Sequence, residues 1–267
     1  MKLCDLLAAL NAKCPPFEGC EDQDGVAFLP YPDREVARIA IALDANPRTA
    51  ELASDAGADL FLTHHPMLYG GEPEVGTPQY LAREILLSQG IAAMSLHARL
   101  DAAAGGMNDT ICRMLGIFDE STITRFGTPD AEGLGRIGKL SCRQDLGGIS
   151  DGVPCRTLAE YVKARLGAPA AVVTLPERVL HTVAVVSGSC SDFVPRAAEL
   201  GADAIIGGEF KYHTLDLAVS LGISCIGVGH YYSERHAVEV LSRLCREVIP
   251  TAELITVDPG CPAKIIA

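Results

Sequence analysis

The stretch Asp59-Leu60-Phe61-Leu62-Thr63-His64-His65-Pro66 decides how the rest of the chain is interpreted. Its apolar residues predict a short buried strand that stops at two adjacent histidines. Pro66 has no N–H group for a neighbouring strand, so we expect the strand to end there. In open α/β sheets, ligands bind outside the carboxyl ends of the strands. His64 and His65 therefore occupy a position where a functional site is expected.

The sequence also contains two similar segments. A strand pattern, a helix pattern and the motif Gly-Ala-Asp follow one another in residues 38–59 and again in residues 182–203. Further along, residues 90–97 are paralleled by residues 222–230, and both of these segments end in histidine. This internal similarity predicts two copies of one strand-helix-strand-helix-strand unit.

Both copies place a carboxylate four residues after the terminal histidine. The first copy pairs His97 with Asp101, and the second pairs His230 with Glu234. Residues four apart share a helix face, so each pair converges if a helical turn follows the strand. Together with the His-His pair, the two copies supply enough nitrogen and oxygen ligands for two metal ions.

These patterns predict an α/β fold of two pseudo-repeated lobes, with helices layered around mixed sheets and the metal site between the lobes. We assign residues 1–118 to the first lobe and 119–267 to the second, which includes an insertion at about 119–178. Within the insertion, Thr157-Leu158-Ala159-Glu160 predicts a capping box at the start of a helix over Leu158 to Leu166. In the first lobe, Asn108-Asp109 predicts the N-cap of a helix over residues 110–115.

Composition restricts the class of protein. A chain of 267 residues with 48% hydrophobic residues can bury a sizeable core, as one large or two small domains. The ten cysteines show no C-x-x-C pair, which indicates reduced, buried thiols. A net charge of −12 disfavours nucleic acid as a partner. The apolar runs are shorter than the roughly 18 residues of a membrane span, so we expect a cytoplasmic protein with no membrane partner.

Three features allow alternative interpretations. Asp44 follows the first strand of the first copy. This position suits either a catalytic group or a residue that forms the turn and caps the next helix. The loop Ser187 to Ser191 suits either phosphate binding on backbone N–H groups or simple helix capping. His213 suits a metal ligand, a proton shuttle or a capped surface histidine.

Four motifs in combination resemble the NGG-interacting-factor-three-like family, whose members are described as homologues of type 2 GTP cyclohydrolase I. The resemblance runs from about Leu3 to Ile265, and its motifs are THHP (63–66), HARLDAAAGGMND (97–109), GGEFKYH (207–213) and GHYYSER (229–235). It implies a homo-oligomer, a hexameric ring with sites facing an internal cavity. It also implies a set of five metal ligands, which are His64, His65, Asp101, His230 and Glu234.

This chain departs from the family pattern at two places. It has no tryptophan, whereas family members usually show a Trp-Asp-Asn segment near the N-terminus. It reads Ala98-Arg99 where a Thr-Asn pair is more usual. Neither change touches a ligand, but both alter the expected rim of the site.

Imidazole and carboxylate ligands without thiolate suit two divalent transition-metal ions, which can be Zn, Fe, Mn, Co or Ni. A glutamate can bridge two metals about 3.5–4 Å apart, and a water shared between them loses a proton near neutral pH. We expect Glu234 to be the bridge, with His64 and His230 on one metal and His65 and Asp101 on the other. The candidate catalytic residues around these ligands are His97, Glu209 and His213.

The family name implies a metal-dependent hydrolase that opens the purine ring of GTP and releases formate, so the expected substrate is a small molecule, with nucleotides as the candidate class. The competing hypothesis is a metal-binding scaffold without turnover that forms a ring-shaped oligomer. A third interpretation is an α/β domain whose histidines only pack.

Overall fold

The computed structural model describes residues 1–17, 25–68, 71–123, 133–140 and 152–264. In chain order its helices are α1 (Leu3–Lys13), α2 (Pro47–Asp55), α3 (Pro78–Ser88), α4 (Ala98–Ala102), α5 (Met107–Leu115), α6 (Cys155–Leu166), α7 (Val194–Glu199), α8 (Tyr212–Leu221), α9 (His230–Glu234) and α10 (Ala237–Val248). Its strands are β1 (Val26–Phe28), β2 (Arg38–Ala42), β3 (Leu60–Thr63), β4 (Ala92–Ser95), β5 (Ile117–Thr122), β6 (Arg136–Leu140), β7 (Val153–Pro154), β8 (Val172–Val173), β9 (Val179–Leu180), β10 (Thr182–Ser189), β11 (Ala204–Glu209), β12 (Ser224–Gly227) and β13 (Glu253–Val257). These mixed sheets and their helices confirm the predicted α/β fold class.

The chain forms two compact units. The first combines Met1–Ala103 with His236–Pro262, and the second contains Ala104–Arg235. The first boundary follows Ala103, whereas the predicted one follows residue 118, and the C-terminal segment returns to the first unit. There β13 pairs in parallel with β2, and α10 packs against α1.

The first unit is built on a five-stranded sheet in the order β1-β4-β3-β2-β13. The four strands from β4 to β13 run parallel, and β1 pairs antiparallel with β4 at one edge. All four residues of β3 are buried, as expected for a central parallel strand that is covered on both faces. Because the strands are parallel, the carboxyl ends of β2, β3 and β4 lie along the same edge of this sheet.

The second unit is built on a six-stranded sheet in the order β5-β6-β10-β11-β12-β8, and β7 pairs separately with β9. Its centre is the parallel set β10, β11 and β12, and the outer strands pair antiparallel. The carboxyl ends of the three central strands therefore share one edge of the sheet, as in the first unit.

The aspartate of each Gly-Ala-Asp motif has a defined structural role. Asp59 Oδ2 accepts hydrogen bonds from the backbone N–H groups of Ala37 and Arg38, at 2.8 and 3.0 Å. Asp203 Oδ2 accepts from His181 and Thr182 in the same way, at 2.9 and 3.0 Å. Each carboxylate thus satisfies two backbone donors at the start of the neighbouring strand.

The pKa of Asp203 reflects this role. Burial favours the neutral carboxyl, but the two backbone donors and the Arg178 guanidinium outweigh burial and lower the pKa.

The predicted capping box at residues 157–160 is wrong. Helix α6 begins at Cys155, and its N-cap residue Pro154 makes no side-chain capping hydrogen bond. The backbone provides the cap instead, because the N–H groups of Cys155 and Arg156 donate to the carbonyls of Arg178 and Pro176, at 2.8 and 2.9 Å. Sequence spacing does not show such a contact between distant segments.

The predicted N-cap at residues 108–109 is also wrong. Helix α5 begins at Met107, so both residues lie in its first turn. Asn108 Oδ1 accepts from the N–H of Ser187 at 2.9 Å, and the Asp109 carboxylate accepts from the N–H of Gly105.

Among the described residues, no helix has the length and apolar character needed to cross a membrane.

Candidate metal centre

The ends of three parallel strands in the first unit carry the predicted histidines and one carboxylate. Asp44 follows β2, His64 and His65 follow β3, and His97 follows β4. The strands that precede these residues are hydrogen-bonded in parallel, so the residues that follow them are neighbours.

Each histidine of the pair is oriented by a partner at Nδ1. His64 is buried, and its Nδ1 lies 2.9 Å from the carbonyl oxygen of Leu96. His65 Nδ1 lies 2.7 Å from Asp44 Oδ1. A carbonyl or carboxylate oxygen accepts hydrogen bonds, so Nδ1 is the donor in both rings. In the neutral imidazoles the lone pair therefore lies on Nε2, which is the tautomer expected of a metal ligand.

His97 completes a group of three imidazoles. One ligand nitrogen from each of His64, His65 and His97 lies within 4.8 Å of the others. The ring centroid of His97 lies 5.2 Å from that of His64 and 5.7 Å from that of His65. Side-chain nitrogens at this spacing could hold a transition-metal ion. The sequence predicted a proton-transfer role for His97 and not a ligand role, so this group is not the predicted ligand set.

Asp101 lies beside this group. It belongs to α4, the helical turn that begins after His97, and its Oδ1 lies 3.9 Å from His64 Nε2. The turn that was required to bring this carboxylate back towards the strand end is thus present.

The second unit places His230 between two carboxylates. Its Nδ1 lies 2.9 Å from Glu209 Oε1, at the end of β11, and its Nε2 lies 2.8 Å from Glu234 Oε2, one turn later on α9. The pKa of His230 is raised to about 10, first by the hydrogen bond to Glu209 and next by the hydrogen bond to Glu234. Burial opposes this shift because it disfavours the charged imidazolium. Glu234 is buried, whereas Glu209 is exposed.

Three backbone N–H groups of the loop from Ser187 to Ser191 are used in hydrogen bonds within the second unit. The N–H of Ser187 donates to Asn108 Oδ1, that of Gly188 to Ser233 Oγ, and that of Cys190 to the carbonyl of Glu209. These hydrogen bonds hold the loop against its neighbours, and neither Cys190 nor Phe193 makes a side-chain capping hydrogen bond to the helical turns that follow.

Two further residues that the sequence singled out are Asp44 and His213. Asp44 does not cap α2, because Asn46 does so by accepting from the N–H of Thr49. Asp44 instead orients His65, a role that could have been inferred from its position at the end of a strand parallel to β3. His213 is exposed in the first turn of α8, and its three possible roles stay predictions.

Comparison with known proteins gives consistent matches over most of the chain. The family model described as Duf34/NIF3 (NGG1p interacting factor 3) matches residues 1–258. A Clostridium perfringens protein named GTP cyclohydrolase 1 type 2 homolog is 31% identical over 244 residues, which cover 88% of this chain and 87% of the relative.

Solved structures support the fold. A Bacillus cereus protein related to NIF3 superposes with a TM-score of 0.85 at 16% identity, covering 100% of this chain and 99% of the other. A hypothetical protein from Staphylococcus aureus gives a TM-score of 0.84 at 20% identity with the same coverage. At these identities the likeness shows the fold alone.

Proposed function

This chain belongs to the Duf34/NIF3 family, and on that premise we propose that it binds two divalent transition-metal ions and acts as a metal-dependent hydrolase of the GTP cyclohydrolase 1 type 2 kind. The observation that carries the proposal is the orientation of His64 and His65. Nδ1 of His64 faces the Leu96 carbonyl and Nδ1 of His65 faces the Asp44 carboxylate, so Nε2 is the nitrogen by which each ring would coordinate a metal.

The proposed ligands are the five residues that match the family motifs, which are His64, His65, Asp101, His230 and Glu234. Glu234 is the proposed bridging ligand, because a carboxylate offers one oxygen to each of two ions. Its burial supports this role, since a buried carboxylate requires a cationic partner, and in the metal-free protein that partner is His230. On metal binding, the Glu234 carboxylate would exchange its positively charged partner His230 for the metal ions.

Bound metal would supply a hydroxide at neutral pH by lowering the pKa of a coordinated water. The chain's own residues have supporting roles. Asp44 holds His65 through Nδ1, and Glu209 holds His230 through Nδ1, so each carboxylate fixes the orientation of its ring. His97 lies against His64 and His65, where an imidazole can accept or deliver a proton during hydrolysis.

The test of the proposed activity is turnover by defined metal forms. Protein loaded with Zn, Mn or Fe is incubated with GTP and with other nucleotides, and formate and the ultraviolet change of an opened purine are measured. We expect a metal-dependent signal that falls by at least about 100-fold in His65→Ala. His181→Ala is the matched control, because the His181 side chain is 61% exposed and belongs to no ligand motif.

Two outcomes separate the hypotheses. Absence of turnover in every metal form, with metal bound, would favour the metal-binding scaffold over the hydrolase. Equal activity of His65→Ala and the unmodified protein would assign any turnover to another site or to a contaminant.

We also propose a homohexamer in the cytoplasm, because the family resemblance implies a ring and the buried thiols of Cys112, Cys225 and Cys245 suit a reducing compartment. Light scattering should then give six times the mass of one chain. A monomeric mass at working concentration would exclude the ring.

A further inference from the structure

We propose that Gly188 is a positioning residue for the metal centre: the missing side chain at this position lets the Glu234 carboxylate and the His230 ring lie against the end of β10. The inference rests on the proposed function, because Glu234 and His230 are two of its proposed ligands. It extends that function to a residue that contributes no ligand atom.

The geometry at Gly188 leaves no room for a side chain. A Cβ atom at this position would lie 2.1 Å from Glu234 Oε1, 3.0 Å from Glu234 Cδ and 3.2 Å from His230 Cε1. Non-bonded carbon atoms are at their optimal separation about 3.5–4.0 Å apart. Even alanine would therefore force the Glu234 carboxylate to move.

The backbone around Gly188 is held in place and cannot retreat easily. The Gly188 N–H donates to Ser233 Oγ at 3.0 Å, and the Ser233 hydroxyl donates to the carbonyl of His230 at 2.8 Å. The preceding N–H, of Ser187, donates to Asn108 at 2.9 Å. Because the strand end and the first turn of α9 are tied together, the strain of an added Cβ falls on the Glu234 side chain.

That side chain has little freedom to adapt. It is 4% exposed, and its second oxygen is paired with His230 Nε2. A displaced carboxylate would therefore weaken its contact with His230 and leave the position from which it is proposed to bridge two ions.

A second glycine supports the same close approach. A Cβ at Gly208, in β11, would lie 2.6 Å from the carbonyl oxygen of Gly188 and 2.9 Å from Ser233 Oγ. Helix α9 packs against both β10 and β11 within this unit. Small residues at the two strand ends thus create the space into which α9 fits.

A simpler explanation is that the backbone alone requires glycine. Gly188 has φ = +64°, a conformation in which residues with a side chain are strained whatever the surroundings. Gly201 provides the matched control, because its φ is +82° and a Cβ there would meet no heavy atom within 4 Å. Gly201→Ala introduces the backbone strain without the contact to Glu234.

The experiment compares Gly188→Ala with Gly201→Ala in the full chain. The affinity for Zn is measured by competition with a chromophoric chelator, and the imidazole resonances of His230 are recorded in the metal-free proteins. We expect Gly188→Ala to weaken Zn binding by about tenfold or more and to shift the His230 resonances. We expect Gly201→Ala to leave both unchanged. Equal effects of the two variants, or no effect of Gly188→Ala, would overturn the proposal.

A double-substitution cycle identifies the residue through which Gly188 acts. Glu234→Ala removes the atoms that the new Cβ would meet, so Gly188→Ala should cause no further loss of Zn affinity in that background. If Gly188→Ala lowers Zn affinity as much in that background as in the unmodified protein, Gly188 does not act through Glu234. If Gly188→Ala does not fold, Glu234→Ala should restore folding, and failure of that rescue would also contradict the proposal.

The two proposals fail in different ways. If the unmodified protein binds no Zn or other metal, the proposed function is wrong. The His230 resonances of the metal-free variants then still decide whether Gly188 positions Glu234 and His230.

Discussion

Replacing Glu234 by Gln is expected to weaken the binding of both metal ions by at least about 100-fold, whereas Asp101→Asn should weaken mainly one. Glu234 is proposed to contact both ions, so converting its carboxylate into an amide should lower the affinity for both. Asp101 is proposed to bind a single ion, so its amide should leave the other in place. Metal content after dialysis and chelator competition measure the two effects.

The control for this comparison is Glu239→Gln. Glu239 lies near the start of α10, its side chain is 78% exposed, and it matches no ligand motif. Its substitution should leave both ions bound. If Glu234→Gln and Asp101→Asn each remove one ion, the bridging assignment is wrong and Glu234 is an ordinary ligand of one metal.

Replacing Asp109 by Ala is expected to lower the free energy of unfolding by about 3 kcal/mol, the lower end of the range for buried pairs, because it would break an ion pair between a partly buried aspartate and a buried arginine. The Asp109 carboxylate accepts from Arg136 Nε, and their side chains are 18% and 6% exposed. Arg136 Nη1 also donates to the carbonyls of Gly133 and Gly135, at 3.1 and 2.8 Å. Those carbonyls remain in the variant, but the guanidinium loses the Asp109 carboxylate while it is still buried.

Urea unfolding monitored by circular dichroism measures the change. Glu177→Ala is the control within the same unit, because the Arg156–Glu177 pair has side chains that are 66% and 78% exposed. Exposed ion pairs contribute little to stability because water and salt screen them, so this control should change the free energy of unfolding little. Similar losses in the two variants would mean that burial does not strengthen the Asp109–Arg136 interaction.

The central strands and their ends were predictable from local sequence. The apolar run before His64 and His65 predicted β3, and the observed strand covers Leu60–Thr63. The four-residue spacing in His97–Asp101 and His230–Glu234 predicted helical turns, which are α4 and α9. These features depend on neighbouring residues, so periodicity and spacing are sufficient to find them.

Contacts between distant segments were not predictable in the same way. The capping of α6 by the carbonyls of Pro176 and Arg178 depends on where a later segment lies, and Thr157 and Glu160 form a capping pattern that the helix does not use. The return of β13 to β2 joins residues that are far apart in sequence.

Asp44 is an intermediate case. It ends a predicted strand and was considered for catalysis, but its contact with His65 requires knowing that β2 and β3 are parallel neighbours.

The number of metal ions bound per chain tests the proposed two-metal centre most directly. The protein is stripped of metal, reconstituted separately with Zn, Mn, Fe, Co and Ni, freed of excess ion and analysed for metal and protein together. We expect a ratio near two for at least one of these metals, because the five proposed ligands are more than a single tetrahedral site needs. A ratio that stays at zero with every metal would contradict it.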